Sequence, residues 1–381
     1  MLTITGRNVN DLWSDGMHAL ASIGVAQDSR AGRVLVAPHP VVSVYRRPVE
    51  RVLFDPVRDA NPFFHLMESL WMLAGRDDAA FLDRYVGDFG RRFGDGPDDA
   101  RYIHGAYGHR WRRTFNYDQL DVVVNKLRAN PDDRQAVIQM WDGINPSDGH
   151  HCGSGDLLGD WRDRPCNTHV YLRVRDEKIG SEPVGRIVTL DPATRQPAGS
   201  VPTDERRPIY DKVLDLTVCC RSNDIVFGAY GANAVHFSVL QEYLAGRIGV
   251  GVGRMYQFSN NWHGYVDVLQ KFGDPLLGTA TLDPYQQGRV SAMPMGSAWG
   301  QWDADLSKFM RWHDERLWRP HGEGLRVEYV NSWFSCVAER VAFANWCWKS
   351  GERAAALYWA ENIDATDWRE ACVQWIKRRM K

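Results

Sequence analysis

A cysteine in the stretch DRPCNTH, residues 163–169, has the features of a nucleophile. Cys166 follows an Arg-Pro step and precedes VYLRVR, residues 170–175, whose alternating apolar and polar residues predict a half-buried strand. A side chain at a strand entrance can face a cleft, where the guanidinium of Arg164 or Arg221 would favour the thiolate. Because most free cysteines are small buried apolar residues, other motifs must decide between these interpretations.

A polar turn further along the chain predicts an anion site. Residues 216–246 indicate a strand, a turn with Arg221 and Ser222, the glycine-containing loop GAYGAN, and a helix over about 234–245. At such a junction, an arginine and the N–H groups of a helix start can bind phosphate. Asn233 lies near the helix start, where helix capping and ligand binding are equally compatible with its amide.

The segment YQFSNNWHGY carries three hydrogen-bonding side chains at every second position, namely Asn261, His263 and Tyr265. In a strand this spacing places all three on one face. A lone histidine is more often a satisfied core residue, but a row of three such groups suits a polyhydroxyl ligand such as a sugar. The segment therefore predicts either a core strand or a sugar-binding face.

The composition is that of a soluble globular protein. The 381 residues are 44% hydrophobic and 25% charged with a net charge of −2, which gives no overall attraction to nucleic acid or membrane. We expect no transmembrane helix and no secretory signal. Seven cysteines without a C-x-x-C pair favour free thiols in the cytoplasm. HHCGSGD, residues 150–156, lacks a second cluster at zinc spacing, so we predict a polar surface loop and no metal.

The elements that must position these residues change in character near residue 300. Mixed strand and helix patterns precede it, with one irregular excursion predicted over 176–210. Four helices are predicted after it, over 303–318, 327–350, 352–363 and 367–379. The second of these has a stripe that suits core packing or an oligomer contact: Val327, Val330, Phe334, Val337 and Val341. We predict a catalytic domain over 1–300 and a tryptophan-rich helical extension over 301–381.

Taken together, the motifs resemble those of the folate-dependent thymidylate synthase family. Single matches are weak, but these follow one another in the family's order over residues 28–265. The matched motifs are DSRAGR with Arg30, HLMESLWMLAGRDD with Glu68 and Trp71, AYGHRWRR with Tyr107 and Trp111, LRANPDDRQAVIQMW with Arg134, RPCNTHVYLRV with Cys166, RSND with Arg221, Ser222 and Asp224, GAYGAN with Asn233, and NWHGY with His263 and Tyr265.

The resemblance implies an α+β fold, a large twisted sheet backed by helices, in an obligate homodimer. It also implies attack of a thiolate on C6 of a pyrimidine nucleoside 5′-monophosphate, with 5,10-methylenetetrahydrofolate as the one-carbon donor. By resemblance, the catalytic residues are Cys166, Glu68 and Tyr107. The nucleotide-binding residues are Arg30, Arg221, Ser222, Asn233, His263, Tyr265 and, from the partner subunit, Arg134; the folate-binding residues are Trp71, Trp111 and Asp224.

Departures from the family pattern favour one reaction within it. The chain has Asn167 where the common synthases have histidine, Gln135 for a second arginine, Asn261 for an aspartate, and the ending WIKRRMK for an apolar tail. These changes surround the folate and C5 more than the nucleotide. They favour hydroxymethylation by water over methylation by hydride. The amide of Asn233 suits uracil, since it can donate to O4 and accept from N3–H, and cytosine stays open.

Two other classes of function compete with this interpretation. A cysteine hydrolase would pair Cys166 with His169 or His263, but no typical protease signature accompanies the cysteine. A catalytically inert nucleotide-binding homologue would need no nucleophile, so the presence of Cys166, Glu68 and Arg221 argues against it. Loss of turnover with retained nucleotide binding after Cys166→Ala would separate these classes.

Overall fold

The computed structural model of the chain describes residues 1–98, 101–143, 155–157, 159–183, 186–190, 197–202, 206–273, 283–318 and 327–380. Within these ranges the strands are β1 (Leu2–Gly6), β2 (Val25–Ser29), β3 (Gly32–Val36), β4 (Val41–Tyr45), β5 (Val137–Gln139), β6 (Asn167–Pro183), β7 (Arg186–Leu190), β8 (Pro197–Pro202), β9 (Arg206–Asp224) and β10 (Gly251–Tyr265).

The helices of the described residues are distributed before, between and after the strands. They are α1 (Val9–Ile23), α2 (Pro62–Leu73), α3 (Ala79–Asp83), α4 (Phe89–Phe93), α5 (Tyr107–Arg112), α6 (Gln119–Ala129), α7 (Asn233–Ile248), α8 (Val266–Leu269), α9 (Trp302–Trp312), α10 (Glu339–Lys349), α11 (Arg353–Glu361) and α12 (Thr366–Arg379). Among the described residues, no helix combines the length and apolar character that a membrane span requires.

A mixed sheet of eight strands forms the centre of the described fold. Its order is β1-β4-β10-β9-β6-β5, and the β2–β3 hairpin joins it through β3 and β10. The β9–β10 pair is parallel, whereas β6 and β9 are antiparallel. Helix α7 is buried from Asn233 to Ala245 and packs against both β9 and β10. The predicted α+β fold, a large sheet backed by helices, is confirmed.

Local signals in the sequence fix the start of the helix that carries Glu68. Asn61 precedes α2, and its side chain accepts a hydrogen bond from the Phe64 N–H at 3.1 Å. Pro62 takes the first helical position, where a missing N–H costs nothing. The apolar residues of α2 are buried almost throughout, so the helix is held on the protein core with Glu68 at a fixed position.

Three predictions of local structure are wrong. The excursion at 176–210 is not irregular, because β6 and β9 continue into it as long paired strands and β7 pairs with β8. The residues of GAYGAN lie in helical turns that run from Ile225 to Ala232, with a kink at Gly231, and lead into α7. The helix expected from residue 327 begins only near Phe334, and Val330 of the predicted stripe is 59% exposed. Residue propensity could not predict these strands, because pairing with distant segments decides whether they form.

The C-terminal helices pack onto the part of the chain that carries Glu68. The ring of Trp375 in α12 meets Phe63 in α2 edge-on, with ring centroids 5.3 Å apart. Arg378 and Arg379 form ion pairs with Asp59, just before α2. The buried side chains of both regions belong to one hydrophobic core. The domain boundary at residue 300 stays a prediction, because packing in the described residues is continuous across it.

We expect a buried carboxyl between α12 and residues 283–290 to make stability depend on pH. Tyr285 donates a hydrogen bond to Asp367 at 2.9 Å, and burial raises the pKa of Asp367 from 3.8 to about 6. Because the folded pKa is the higher one, the folded state retains a proton that unfolding releases between about pH 4 and 6. Stability contributed by this group therefore falls as the pH rises through that window.

Asp367→Asn should remove this dependence. Relative to the wild type, the free energy of unfolding of the variant should gain about 1–2 kcal/mol between pH 5 and pH 7.5. Urea denaturation at the two pH values measures this difference. Exposed Asp132 provides the matched control as Asp132→Asn. Equal pH profiles for the wild type and Asp367→Asn would contradict the prediction.

Candidate active site

The predicted nucleophile lies at the entrance of a strand, as its sequence indicates. Cys166 is the residue before β6, and β6 pairs with β9 so that Asn167 is opposite Cys220. The N–H of Arg221 donates to the Cys166 carbonyl at 2.8 Å. This register places the thiol beside the Arg-Ser turn at the end of β9. Two motifs that are far apart in the sequence thus form one site.

A close helix contact brings α5, which carries Tyr107, against α2, which carries Glu68. A Cβ atom at Gly108, in α5, would lie 1.8 Å from the carbonyl oxygen of Met72, in α2. Only glycine therefore permits this approach of the two helices. Burial raises the pKa of Tyr107 well above its usual value, and the nearby Cys166 thiol raises it further. Tyr107 is thus a neutral hydroxyl in the immediate surroundings of Cys166.

Burial, and not arginine, dominates the electrostatics of the thiol. Burial raises the pKa of Cys166 above 9.0; Arg221 lowers it, Asp163 raises it again, and the Tyr107 hydroxyl lowers it. The expected net lowering of this pKa is wrong, since desolvation of the thiolate outweighs the charge of Arg221. Arg164, the other expected activator, instead donates to the backbone carbonyl of Gly159.

An unpredicted histidine faces Glu68, the predicted catalytic glutamate. His236 in α7 lies with Nε2 2.9 Å from Oε2 of Glu68, although the pair is not aligned as a hydrogen bond. His65 is close by, and burial, with Arg58 and His236, lowers its pKa well below 6.5. His236 belongs to none of the predicted motifs, but its place one helical turn after Asn233 was a usable signal. Glu68 therefore has a polar neighbour that can share protons or water with it.

Five of the predicted nucleotide-binding residues line one pocket of about 360 Å³. The parallel register places Asn261 of β10 opposite Ser222 of β9. The antiparallel register of β10 with β3 brings the β2–β3 turn, with Arg30, beside the same end of the sheet. The predicted residues on the wall are Arg30, Arg221, Ser222, His263 and Tyr265. Two guanidinium groups beside hydroxyl and imidazole groups suit a sugar phosphate.

Asn261, His263 and Tyr265 all contribute to this wall, so the prediction that they share one face is confirmed. Of the two interpretations of this segment, the structure therefore supports a strand whose side chains face a pocket. The rings of His263 and Tyr265 lie edge to face, 5.6 Å apart. Burial raises the pKa of Tyr265, while Arg30 lowers it, which shows that the arginine of the hairpin turn lies close to this wall.

Two further predicted nucleotide residues lie outside that pocket. Asn233 is the first residue of α7 and does not cap it; its Nδ2 donates to Oδ1 of Asn223 at 3.1 Å. Arg134 is exposed in the turn between α6 and β5. Neither is among the residues that line the pocket. The capping interpretation of Asn233 is wrong, and its ligand role stays a prediction.

The predicted folate residues have different environments. Asp224 accepts hydrogen bonds through Oδ1 from the N–H groups of Val226 and Phe227, at 2.8 and 2.6 Å. Its Oδ2 is buried and has no partner among the described residues, so it can accept from the N–H of a ligand. Trp71 and Trp111 are 2% and 1% exposed. Both tryptophans are therefore core residues, and neither lines the pocket that contains Arg30 and Arg221.

Comparison with known proteins agrees with this arrangement. The thymidylate synthase family model matches residues 61–280. The chain belongs to the thymidylate synthase family. A deoxyuridylate hydroxymethyltransferase of Pseudomonas phage M6 is 38% identical over 100% of this chain and 95% of its own. One of Bacillus phage SP01 is 31% identical over 70% of this chain and 60% of its own. The predicted family is confirmed, and with it the predicted class of folate-dependent one-carbon transferase.

More distant members of the thymidylate synthase family match less of the chain. A putative thymidylate synthase of Methanosarcina acetivorans is 23% identical over 69% of this chain and 88% of its own. The family model ends before α9, whereas the similarity to the phage M6 protein extends over the C-terminal helices. The helical extension is therefore shared with a phage relative.

Asn167, a departure from the thymidylate synthase pattern, is a buried polar group next to the predicted nucleophile Cys166. It is 0% exposed, and neither amide atom makes a hydrogen bond of ordinary geometry among the described residues. The Tyr107 hydroxyl is nevertheless near enough that the amide lowers the pKa of this phenol. An unpartnered buried amide is costly unless a ligand or a water satisfies it.

The segment before Cys166 contains buried carboxyl groups that the sequence did not indicate. Residues 150–154 of the expected surface loop lie outside the described residues, but Asp156 is buried and pairs with Arg110 at 2.7 Å, so a purely surface loop is wrong. Burial raises the pKa of Asp163 to about 6, while Arg110 lowers it. Asp163 was missed, although it stands in the same short stretch as Cys166.

Proposed function

We propose that this member of the thymidylate synthase family is a deoxyuridylate hydroxymethyltransferase. Its substrates would be deoxyuridylate, 5,10-methylenetetrahydrofolate and water, and its product would carry a hydroxymethyl group on C5. The observation that carries the proposal is the buried amide of Asn167 beside Cys166, which makes no hydrogen bond of ordinary geometry among the described residues. Two phage relatives bear the name of this activity.

The pocket at the ends of β9 and β10 would bind the nucleotide. Arg30 and Arg221 supply charge for the phosphate, and Ser222 supplies a hydroxyl. His263 and Tyr265 would bind the sugar hydroxyl on the same wall. Because β6 brings Cys166 next to Arg221, a nucleotide held there has its base within reach of the thiol.

Cys166 would attack C6 of the base and form a carbon–sulfur bond. The electron pair of the C5–C6 double bond then moves toward C5 and the O4 carbonyl, which makes C5 nucleophilic. Since burial raises the pKa of the thiol, neighbouring groups must stabilise the thiolate for it to attack. Tyr107 keeps its proton and can donate to the thiolate, while Arg221 adds positive charge.

Glu68 would hold the water that moves protons to and from the base. Its carboxylate lies next to His236, but the two groups do not form a hydrogen bond with each other. A water molecule between such groups can exchange protons with O4 and C5 of the ring. The glutamate would therefore act at O4 and C5 of the base, while Cys166 bonds to the adjacent carbon C6.

Methylenetetrahydrofolate fits the residues next to this site. The unpartnered Oδ2 of Asp224 can accept from a pterin N–H, and the neighbouring Phe227 ring is 52% exposed. When bound, the folate would supply a one-carbon unit at the oxidation level of formaldehyde. Once the C5 proton is lost and tetrahydrofolate has departed, the base would carry a methylene group on C5, and Asn167 would orient the water that adds to it. The electron pair that this addition returns to the ring would re-form the C5–C6 double bond and expel the Cys166 thiolate from C6.

The proposal is tested by the mass of the product. The protein would be incubated with methylenetetrahydrofolate and, in separate reactions, dUMP, dCMP, UMP and CMP. A product heavier than dUMP by CH₂O supports hydroxymethylation. A gain of CH₂ would identify a methylating thymidylate synthase, and no product from any nucleotide would identify a catalytically inert homologue.

Asn167→His should reduce the hydroxymethyl product by about tenfold or more, because it removes the amide that orients the water. Release of tritium from [5-³H]dUMP reports the earlier carbon–carbon bond formation and should change less than about threefold. Asn130→His, at an exposed position, is the matched control. If both readouts fell together, Asn167 would serve the first half of the reaction and not the water.

We infer that two chains form a dimer in the cytoplasm. Arg134 is exposed and outside the pocket of its own chain, which supports a role in the site of the partner. Tyr171 on β6 and Val137 on β5 form an exposed apolar pair of neighbours in the sheet, at 45% and 36%. The cysteines of the described residues are free, which suits a reducing compartment.

A further inference from the structure

A chain of buried amide groups lies behind Asn233. Its Nδ2 donates to Oδ1 of Asn223 at 3.1 Å. Asn223 in turn donates through Nδ2 to Oε1 of Gln257 at 3.1 Å and to Oγ of Ser259 at 3.0 Å. Gln257 donates through Nε2 to the carbonyl of Ala229 at 3.3 Å. We call the series Ala229 carbonyl, Gln257, Asn223 and Asn233 the amide relay.

The direction of every hydrogen bond in the amide relay follows from its first member. A backbone carbonyl can only accept, and the Tyr45 hydroxyl already gives its proton to the Ala229 carbonyl at 2.7 Å. Nε2 of Gln257 faces both oxygens, at 3.3 and 3.5 Å. Oε1 must therefore point to Asn223, and Oδ1 of Asn223 must point to Asn233. Flipping one amide alone would set two acceptors or two donors against each other.

Ser259 does not determine which way the amides of the relay point. A hydroxyl can donate or accept, so Ser259 can bond to either end of the Asn223 amide. The relay residues Gln257, Asn223 and Asn233 are 0%, 2% and 6% exposed. Water is therefore a poor substitute partner in the intact network, and a reversed amide would lose a buried hydrogen bond.

We propose that the amide relay holds Asn233 in the one orientation that reads uracil and rejects cytosine. This inference rests on the proposed function, in which Asn233 meets the base. With one N–H given to Asn223, Asn233 retains one N–H for O4 and Oδ1 for N3–H. Cytosine presents a donor at C4 and an acceptor at N3, so it requires the reversed amide. Reversal would place Oδ1 of Asn233 against Oδ1 of Asn223.

Asn223 is thus a positioning residue and does not touch the substrate. It stands between Ser222 and Asp224 in β9, and because strand residues alternate in direction, its side chain points away from theirs. Ser222 lines the nucleotide pocket, and Asn223 does not. Ser222 would therefore face the bound phosphate, while Asn223, on the opposite face of β9, would set the choice of base.

The test compares affinities for dUMP and dCMP by calorimetry without folate, together with kcat/KM for each nucleotide in the full reaction. The wild type should prefer dUMP. Asn223→Ala and Gln257→Leu each release the orientation of Asn233, so each should lower the dUMP-to-dCMP ratio at least about tenfold. Ser259→Ala is the matched control, and its ratio should stay within about threefold of the wild type.

General damage to the fold would not change the dUMP-to-dCMP ratio, because such damage weakens the binding of both nucleotides alike. Thermal melting shows which variants are folded. If Asn223→Ala is unfolded, the test uses Gln257→Leu alone. Unchanged ratios in the folded relay variants would overturn the inference, and so would an equal fall in Ser259→Ala.

The outcome is separable from that of the proposed function. A wild type that binds dUMP over dCMP but forms another product leaves the relay inference standing and refutes the hydroxymethylation. A wild type that converts dUMP but binds the two nucleotides equally refutes the relay inference alone.

Discussion

Cys166→Ala should lower kcat for the folate-dependent reaction by about 10³-fold or more, since no other group can form the bond to C6. Affinity for dUMP should change less than about fivefold, because the charged and hydroxyl groups of the pocket are untouched. Product formation and calorimetric binding of dUMP measure the two effects. This is the largest effect that we expect of any single substitution.

Cys219→Ala provides the control for loss of a thiol. Cys219 is a partly exposed free cysteine on β9, the neighbouring strand, and its thiol has no role in the proposed reaction. Its variant should keep wild-type turnover within about threefold. If Cys166→Ala retained more than a few per cent of the turnover, covalent catalysis through this residue would be excluded. If it lost dUMP binding as well, the thiol would be needed for the shape of the pocket.

Arg134→Ala should raise KM for dUMP by about 10- to 100-fold, the effect of losing a charged hydrogen bond to phosphate. Because we place this arginine in the site of the partner subunit, mixing Arg134→Ala with Cys166→Ala should restore activity. In a mixed dimer, one site combines the intact thiol of one chain with the intact arginine of the other. Random mixing should return about a quarter of wild-type activity.

The recovery distinguishes a shared site from a local one. If Arg134 served the pocket of its own chain, every site in the mixed dimer would lack either the thiol or the arginine, and no activity would return. Arg128→Ala, at an exposed position near the end of α6, is the control for loss of surface charge. A monomer in analytical ultracentrifugation at working concentration would rule out the shared site independently.

Much of the site could be predicted from residue types and their spacing. Cys166 at a strand entrance and the shared face of Asn261, His263 and Tyr265 follow from the period of a strand, which short segments encode. The order of the motifs identified the family, because each motif supplies a group that the chemistry requires. The phosphate-binding residues likewise follow from the chemistry of arginine beside a turn.

Structure outside these motifs was harder to predict from the sequence. The strands over 176–183 and 206–210 depend on pairing with each other, and the helical turns over Ile225–Ala232 contain two glycines that argued for a loop. Trp71 and Trp111 resembled ligand contacts, yet both are core residues. In these places the partner of a segment, rather than the segment itself, decides the conformation or the burial.

The sequence alone determined the reactive groups of this protein and their order along the chain, since these depend on residue identity and local period. Only the tertiary structure decided their electrostatics. Burial overrides Arg221 at the thiol, His236 comes within 2.9 Å of Glu68, and the carbonyl of Ala229 orients Asn233 through two intervening amides. These effects depend on desolvation and on short distances between residues far apart in the chain, and no local pattern of residues specifies either.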